Sequence, residues 1–343
     1  MKPHATTVLA GAFAFALFSG RPTAQSTARP AARSAANDVD AHVAAAKAAA
    51  GQDHVGLFDA ACAATSIRPG PGPQPGTLPG KAPGQREGPA PDRSRWYVEP
   101  AKVFDNLYFV GEKEFSSWAV VASDGIIVID AIYDYSVEEE VVGGLKKLGL
   151  DPTKIKYLIV SHAHADHYAG ARFLQDRLHP RVILSAADWD FLERTETEDK
   201  RPKRDMIATD GMKLTLGDTT LTLYLTPGHT AGTISTLIPV KDGGRPHLAA
   251  LWGGTMFNFP RSRAAFDTYI ASAERFQGVL ARAGADTVIS NHTPYDGSKT
   301  KIPALATRKP GEQHPYVIGG DAVKRYLTVA KECATAAQAA LPR

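Results

Sequence analysis

Apolar runs of two kinds alternate along the chain from Val103 onward: short blocks bounded by charge or by Gly and Pro, and longer stretches with helical spacing. Tyr157-Leu158-Ile159-Val160, following the charged Lys154 and Lys156, reads as a buried strand. Leu221-Thr222-Leu223-Tyr224 alternates as a half-buried strand does, and Thr287-Val288-Ile289 reads as another short strand. The pattern is β-rich from Val103 to Ile132, predicts a helix over 137–148, and then returns to the strand at Tyr157. A helix from Tyr168 to Leu178, a strand at Arg181–Leu184 and a helix over 186–194 follow, and the charged stretch 193–200 reads as a solvated loop. A second β-rich block spans 212–251. After it come a helix over 263–283, the strand at Thr287 and a terminal helix over 321–339. Periodicity alone predicts a mixed α/β fold.

The first ninety-odd residues follow other rules. Lys2 precedes an apolar run from Thr7 to Phe18, too short to span a bilayer as a helix, with small residues after it. It reads as a secretory signal covering residues 1–28, cleaved after Ser26-Thr27-Ala28 or after Pro22-Thr23-Ala24. No cysteine lies near residue 20, which argues against a lipoprotein. The mature chain is expected to be periplasmic or secreted, with no membrane segment. Strong helix formers fill 38–50, a second short helix is expected over 54–63, and Pro and Gly load 68–91 as a linker. Residues 29–95 are therefore expected to form a helical extension with its linker, and 96–343 the catalytic domain.

Composition narrows the partners. Lys and Arg number 39 against 36 Asp and Glu, a net charge of +3 with no basic block, so no electrostatic footprint for nucleic acid exists. A small-molecule substrate is expected; oligomeric state is not legible. Cys62 and Cys333 are the two cysteines. In an exported protein they permit one disulfide tying the extension to the terminal helix; the alternative is two separate buried thiols.

The chemistry concentrates in Ser161-His162-Ala163-His164-Ala165-Asp166-His167, at the exit of the strand that ends at Val160. Zinc takes imidazole nitrogen and carboxylate oxygen. In extended chain, residues i and i+2 point the same way, so His162 and His164 can grip one ion. Asp166 and His167 lie where the chain turns into a helix and face a second ion. Further ligands must come from elsewhere. His229 in Pro227-Gly228-His229-Thr230 and His292 in Asn291-His292-Thr293-Pro294 each end a strand and open a turn, where catalytic loops lie. Burying so much polarity without a metal would be costly.

From Trp96 to the C-terminus these motifs resemble the metallo-β-lactamase superfamily. Phe104-Asp105-Asn106-Leu107-Tyr108-Phe109-Val110 is similar to its first strand, and Ser123-Asp124-Gly125-Ile126-Ile127-Val128-Ile129-Asp130 to its hairpin ending in a buried aspartate. The resemblance implies a four-layer αβ/βα sandwich with metals at one rim. It assigns His162, His164 and His229 to a first Zn2+, Asp166, His167 and His292 to a second, and Asp130 to support of the ligand loop. One departure stands out. Many superfamily hydrolases carry a bridging aspartate in a Gly-Asp-Thr segment, and the commonest β-lactamases a liganding cysteine; Gly253-Gly254-Thr255 has neither. That argues against glyoxalase-type thioesterases and lactonases, and points to the β-lactamase subclass whose second zinc is held by Asp, His and His. Thr255 reads equally as a packing residue or a substrate contact.

The resemblance implies hydrolysis of a β-lactam amide by a zinc-activated hydroxide, since zinc lowers the pKa of water from 15.7 to about 7. Asp166 is expected to be catalytic by orienting the nucleophile. The alternative on the same scaffold is a lactone, thioester or other ester substrate. Tyr295, Trp118 and Asn258 lie near the expected rim, each more simply read as structural.

Overall fold

The computed structural model describes Met1, residues 29–68 and residues 89–342, with backbone alone for 29–37. The expected signal segment, both candidate cleavage sites and most of the linker lie outside the described residues.

The first sheet runs in chain order: β1 (Ala101–Lys102), β2 (Leu107–Phe109), β3 (Trp118–Ala122), β4 (Gly125–Ile129), β5 (Ile155–Ile159), β6 (Arg181–Ser185) and β7 (Met206–Ala208). β1 to β4 pair antiparallel, β4 to β7 parallel. The second sheet has the order β12-β11-β10-β9-β8, from β8 (Met212–Leu216), β9 (Thr219–Leu225), β10 (Ile234–Asp242), β11 (Arg245–Trp252) and β12 (Thr287–Ser290). Only its β11–β12 pair is parallel.

The period-two rule fixes the layering. β4 sends Ile127 and Ile129 to one face, where they join Leu221, Leu223, Ile238 and Ile289 of the other sheet. Its alternate residues Ile126 and Val128 face outward with Leu158 and Leu184, under Val141, Leu145, Leu174 and Trp189 of the helices. On the far side, Leu237, Ala250 and Val288 pack under Phe266 and Phe276 of helix Arg263–Ala283 and Tyr326 and Val329 of helix Gly320–Ala339. The result is helix, sheet, sheet, helix: the four-layer αβ/βα sandwich. Each fully buried Ile or Leu contributes roughly 1.5–3 kcal/mol.

The extension packs onto this body. Helices Arg29–Ala50, Val55–Ala61 and Ala64–Ile67 place Val39, Ala46, Leu57, Ala61 and Ile67 in one apolar cluster with Phe266, Tyr326 and Val329. Cys62 and Cys333 form a disulfide, S–S 2.04 Å, across a separation of 271 residues, so the bridge replaces the two-thiol alternative.

Several elements differ from the periodicity. The helix expected over 137–148 is a π-helix, Glu138–Gly143, followed by an α-turn, Gly144–Lys147; the wide turn carries the buried carboxyl Glu140. The helix expected from Tyr168 is two pieces, Ala165–Tyr168 and Ala171–Leu178. They break at Gly170, where a Cβ would stand 2.3 Å from the Ala131 carbonyl oxygen. Helix Ser298–Thr307 was concealed by its internal Pro303, normally a helix breaker, and the three-residue β7 by its brevity.

Candidate metal centre

Every strand that carries a candidate ligand delivers it to the same rim. Asp130 follows β4, His162 to His167 follow β5, and Asp188 follows β6, all at the carboxyl ends of parallel strands, where open α/β sheets bind ligands. His229 sits in the turn between β9 and β10, Gly253 to Thr255 follow β11, and His292 follows β12.

The six predicted ligands come together as two groups: His162, His164 and His229, and Asp166, His167 and His292. In the first, His229 Nε2 lies 3.0 Å from both His162 Nε2 and His164 Nδ1. In the second, Asp166 Oδ2 lies 3.2 Å from His167 Nε2 and 3.6 Å from His292 Nε2. Zinc–nitrogen bonds of 2.0–2.1 Å in tetrahedral geometry put ligand atoms about 3.3 Å apart, so both groups match a closed ligand edge.

The tautomers point the same way. His162 Nδ1 donates to the Gly253 carbonyl at 2.8 Å and His229 Nδ1 to that of Met256 at 2.5 Å. Both Nε2 atoms are then bare lone pairs, facing each other at 3.0 Å with no proton between them. A cation resolves that repulsion; no hydrogen bond does. His167 Nδ1 is held by Asp130 Oδ2 at 2.9 Å, and its buried Nε2 has no hydrogen-bond partner. The donor chemistry and the orphaned nitrogen fit zinc at both groups.

Asp130 acts as expected. Its carboxylate also accepts from Ser161 N at 2.6 Å and Ser161 Oγ at 2.9 Å. To present that carboxylate the chain takes the left-handed region at Asp130 (φ 64°) and again at Ile132 (φ 51°), which strains a β-branched residue. Two residues escaped the sequence reading. Asp188 accepts from Ala163 N at 2.9 Å, Gly232 N at 3.0 Å and Thr230 Oγ1 at 2.9 Å, joining the β5 ligand loop to the His229 turn. Asn291 Nδ2 donates to the Gly253 carbonyl at 2.8 Å and Ser161 Oγ at 3.2 Å. Neither adjoins the His-rich motif in sequence; position after β6 and beside His292 was the available signal.

Electrostatics keep five of the six donors free of a proton. Burial, reinforced by neighbouring imidazoles, pushes His162 and His164 well below the ordinary imidazole value, and pushes His229 to about 4 and His292 to about 3. Burial alone would raise Asp166, but the His167 and His292 rings override it and hold the carboxyl well below the usual range. Burial works against charge on His167 too, yet Asp166 and Asp130 carry it up to about 10. The lone pair that takes that proton is the one a metal takes.

Beside the first group a cleft of about 450 Å³ opens, floored by His164 and His229 and walled by Phe191, Phe259 and the exposed Arg194. Asn258 lines it and is exposed. Trp118 is fully buried and donates to the Ser290 carbonyl at 2.8 Å, so it is structural. Tyr295 is half-buried, its ring 5.0 Å from that of His292. Thr255 is buried, its hydroxyl without a hydrogen-bond partner.

Residues 112–243 match the family described as the Metallo-beta-lactamase superfamily. That segment is a metallo-β-lactamase superfamily domain. Five of the six ligands lie within that match, and His292 lies beyond it. Among curated proteins, the chain is similar to a hydroxyacylglutathione hydrolase of Mesorhizobium japonicum, 31% identical over 123 residues, covering 34% of this chain and 44% of that protein. It is also similar to an N-acyl homoserine lactonase of a Bacillus species, 28% identical over 153 residues, covering 42% and 59%. The chain thus spans about half the length of these curated relatives. Among solved structures, a subclass B3 metallo-β-lactamase of Bradyrhizobium japonicum superposes with TM-score 0.59 at 24% identity, over 70% of this chain and 94% of that one. A metallo-β-lactamase of Cronobacter sakazakii does so with TM-score 0.58 at 26% identity, over 68% and 92%.

Proposed function

We propose that this chain is an exported, dizinc hydrolase that opens the amide of β-lactam rings. The observation that carries the reading is the pair of donor groups at one rim, three imidazoles in one and Asp166, His167 and His292 in the other, with Thr255 where many superfamily hydrolases place a bridging carboxylate. Likeness to the Cronobacter sakazakii β-lactamase over 92% of its chain supports the same substrate class. The disulfide supports export to an oxidising compartment.

His162, His164 and His229 would hold one zinc, and Asp166, His167 and His292 the other. Zinc in such a site supplies Lewis acidity and brings the ionisation of water down to about pH 7. The protein's own groups do the rest. Asp130 fixes His167 with Nδ1 protonated, leaving Nε2 for the metal. Asp166, kept ionised by its neighbours, offers a lone pair that orients the attacking water. The cleft, with two phenylalanines and a guanidinium free of ion pairs among the described residues, would seat an apolar or anionic substrate arm next to the first group. Hydrolysis adds water at the carbonyl carbon, breaks the C–N bond and leaves the proton on the departing nitrogen.

The curated relatives favour a second reading, hydrolysis of a thioester or lactone. Steady-state rates on a chromogenic cephalosporin, a carbapenem, an acyl homoserine lactone and a glutathione thioester separate the two. The first reading expects kcat/KM for a β-lactam to exceed those for lactone and thioester by at least about 100-fold, a ratio that site chemistry can deliver. Activity should vanish on chelation and return with Zn2+. A thioester or lactone turned over faster than every β-lactam makes the second reading correct.

A further inference from the structure

We infer that the N-terminal extension is part of the second metal centre's scaffold: helix Val55–Ala61, locked to the C-terminal helix by Cys62–Cys333, holds the turn that presents His292. This rests on the second donor group being a metal site.

His292 is the one candidate ligand outside the family-matched segment, and the turn after it, Thr293–Asp296, packs directly against helix Val55–Ala61. The approach leaves no room. A Cβ at Gly56 would lie 2.1 Å from the Pro294 carbonyl oxygen and 3.2 Å from its carbon. Alanine is the better helix former, so a glycine inside this helix fits a need for close approach to the His292 turn. On its other side the turn is pinned to the core, with Thr293 N donating to the Glu114 carbonyl at 3.1 Å and Ser116 N to that of Asn291 at 2.9 Å. His292 therefore stands on a turn clamped between the Glu114–Ser116 segment and the extension.

Helix Val55–Ala61 in turn is anchored away from the site. His54 Nε2 donates to the Ala322 carbonyl at 2.7 Å, Asp53 pairs with Arg325, and Cys62 is bonded to Cys333. All three anchors end on or beside helix Gly320–Ala339, which packs on helix Arg263–Ala283 and so on the second sheet. Displacing helix Val55–Ala61 removes the outer wall of the His292 turn, whereas His162, His164 and His229 stand on the loops after β5 and β9.

The test uses the mature chain, stripped of metal and titrated with Zn2+ against a chromophoric chelator so that the two binding steps are resolved. His292→Ala marks the second step. Gly56→Ala, which pushes on Pro294, and the pair Cys62→Ala with Cys333→Ala, which frees the helix, should weaken the second step about 10- to 100-fold, the loss typical when support behind a ligand is removed. The first step should stay within about threefold of the parent. Val43→Ala loosens the same apolar cluster without facing the turn, and should lower the melting temperature with both steps intact. A purely structural role would make Gly56→Ala behave as Val43→Ala does, and that result overturns the inference while leaving the dinuclear reading standing. A parent chain that never takes a second equivalent overturns both.

Discussion

Glu140 is a carboxyl group 1% exposed, with Oε1 accepting from Val98 N at 3.0 Å and Oε2 unpartnered. Burial, aided by Glu112, pushes it up to about 8. The folded chain thus keeps a proton that the unfolded chain releases near 4.5, so stability is lost as pH rises from about 4.5 through 8. Glu140→Gln keeps an oxygen for Val98 and removes the ionisation. The variant should match the parent below about pH 4.5 and exceed it by roughly 3–5 kcal/mol above pH 8 in denaturant unfolding. A stability difference that does not change with pH would show that the group is not buried as described. Asp130 belongs to the same scale: the resemblance assigned it to support of the ligand loop, and its backbone there takes the left-handed region.

Between elements, the decisive part is Asp188. One carboxylate ties the β5 ligand loop, through Ala163, to the turn between β9 and β10, through Thr230 and Gly232. Gly232 leaves no space for anything else, since a Cβ there would stand 2.6 Å from Asp188 Oδ1. Asp188→Asn turns an acceptor into a donor facing backbone N–H groups. Zinc titration should show the first step weakened about tenfold, the loss typical when a hydrogen-bond partner behind a ligand is removed, with the second step unchanged. Equal weakening of both steps would mean that Asp188 serves the fold at large and not the His162–His164–His229 group. Elements are most legible in the sequence where one rule acts alone. Helix 263–283 has a full amphipathic pattern and a Ser262 cap and was legible to the residue; the π-helix at Glu138 carries a buried carboxyl, which no local pattern announces.

For the whole molecule, the three apolar clusters are continuous through shared sheets, and the extension belongs to one of them. Metal bound to the native chain alone should stabilise all of it by mass action, roughly 2.7 kcal/mol at a free concentration one hundred times Kd. Melting temperature should climb with free Zn2+ and drop on chelation, in one transition that takes the extension with it. A melting point indifferent to zinc would count against both donor groups. Among the described residues no helix is long and apolar enough to cross a membrane.

The sequence by itself marked His162, His164, Asp166 and His167 as candidate ligands, because they follow one strand and, in extended chain, His162 and His164 point the same way. It also determined the alternation of strands and helices, since periodicity is a local property. Only the tertiary structure decided that His229 and His292 close the two groups at their observed distances, that Asp188 and Asn291 hold the loops, and that the extension lies against the His292 turn. Those facts depend on contacts between residues far apart in the chain, set by how two twisted sheets and their covering helices bury apolar faces, and no short-range pattern encodes them.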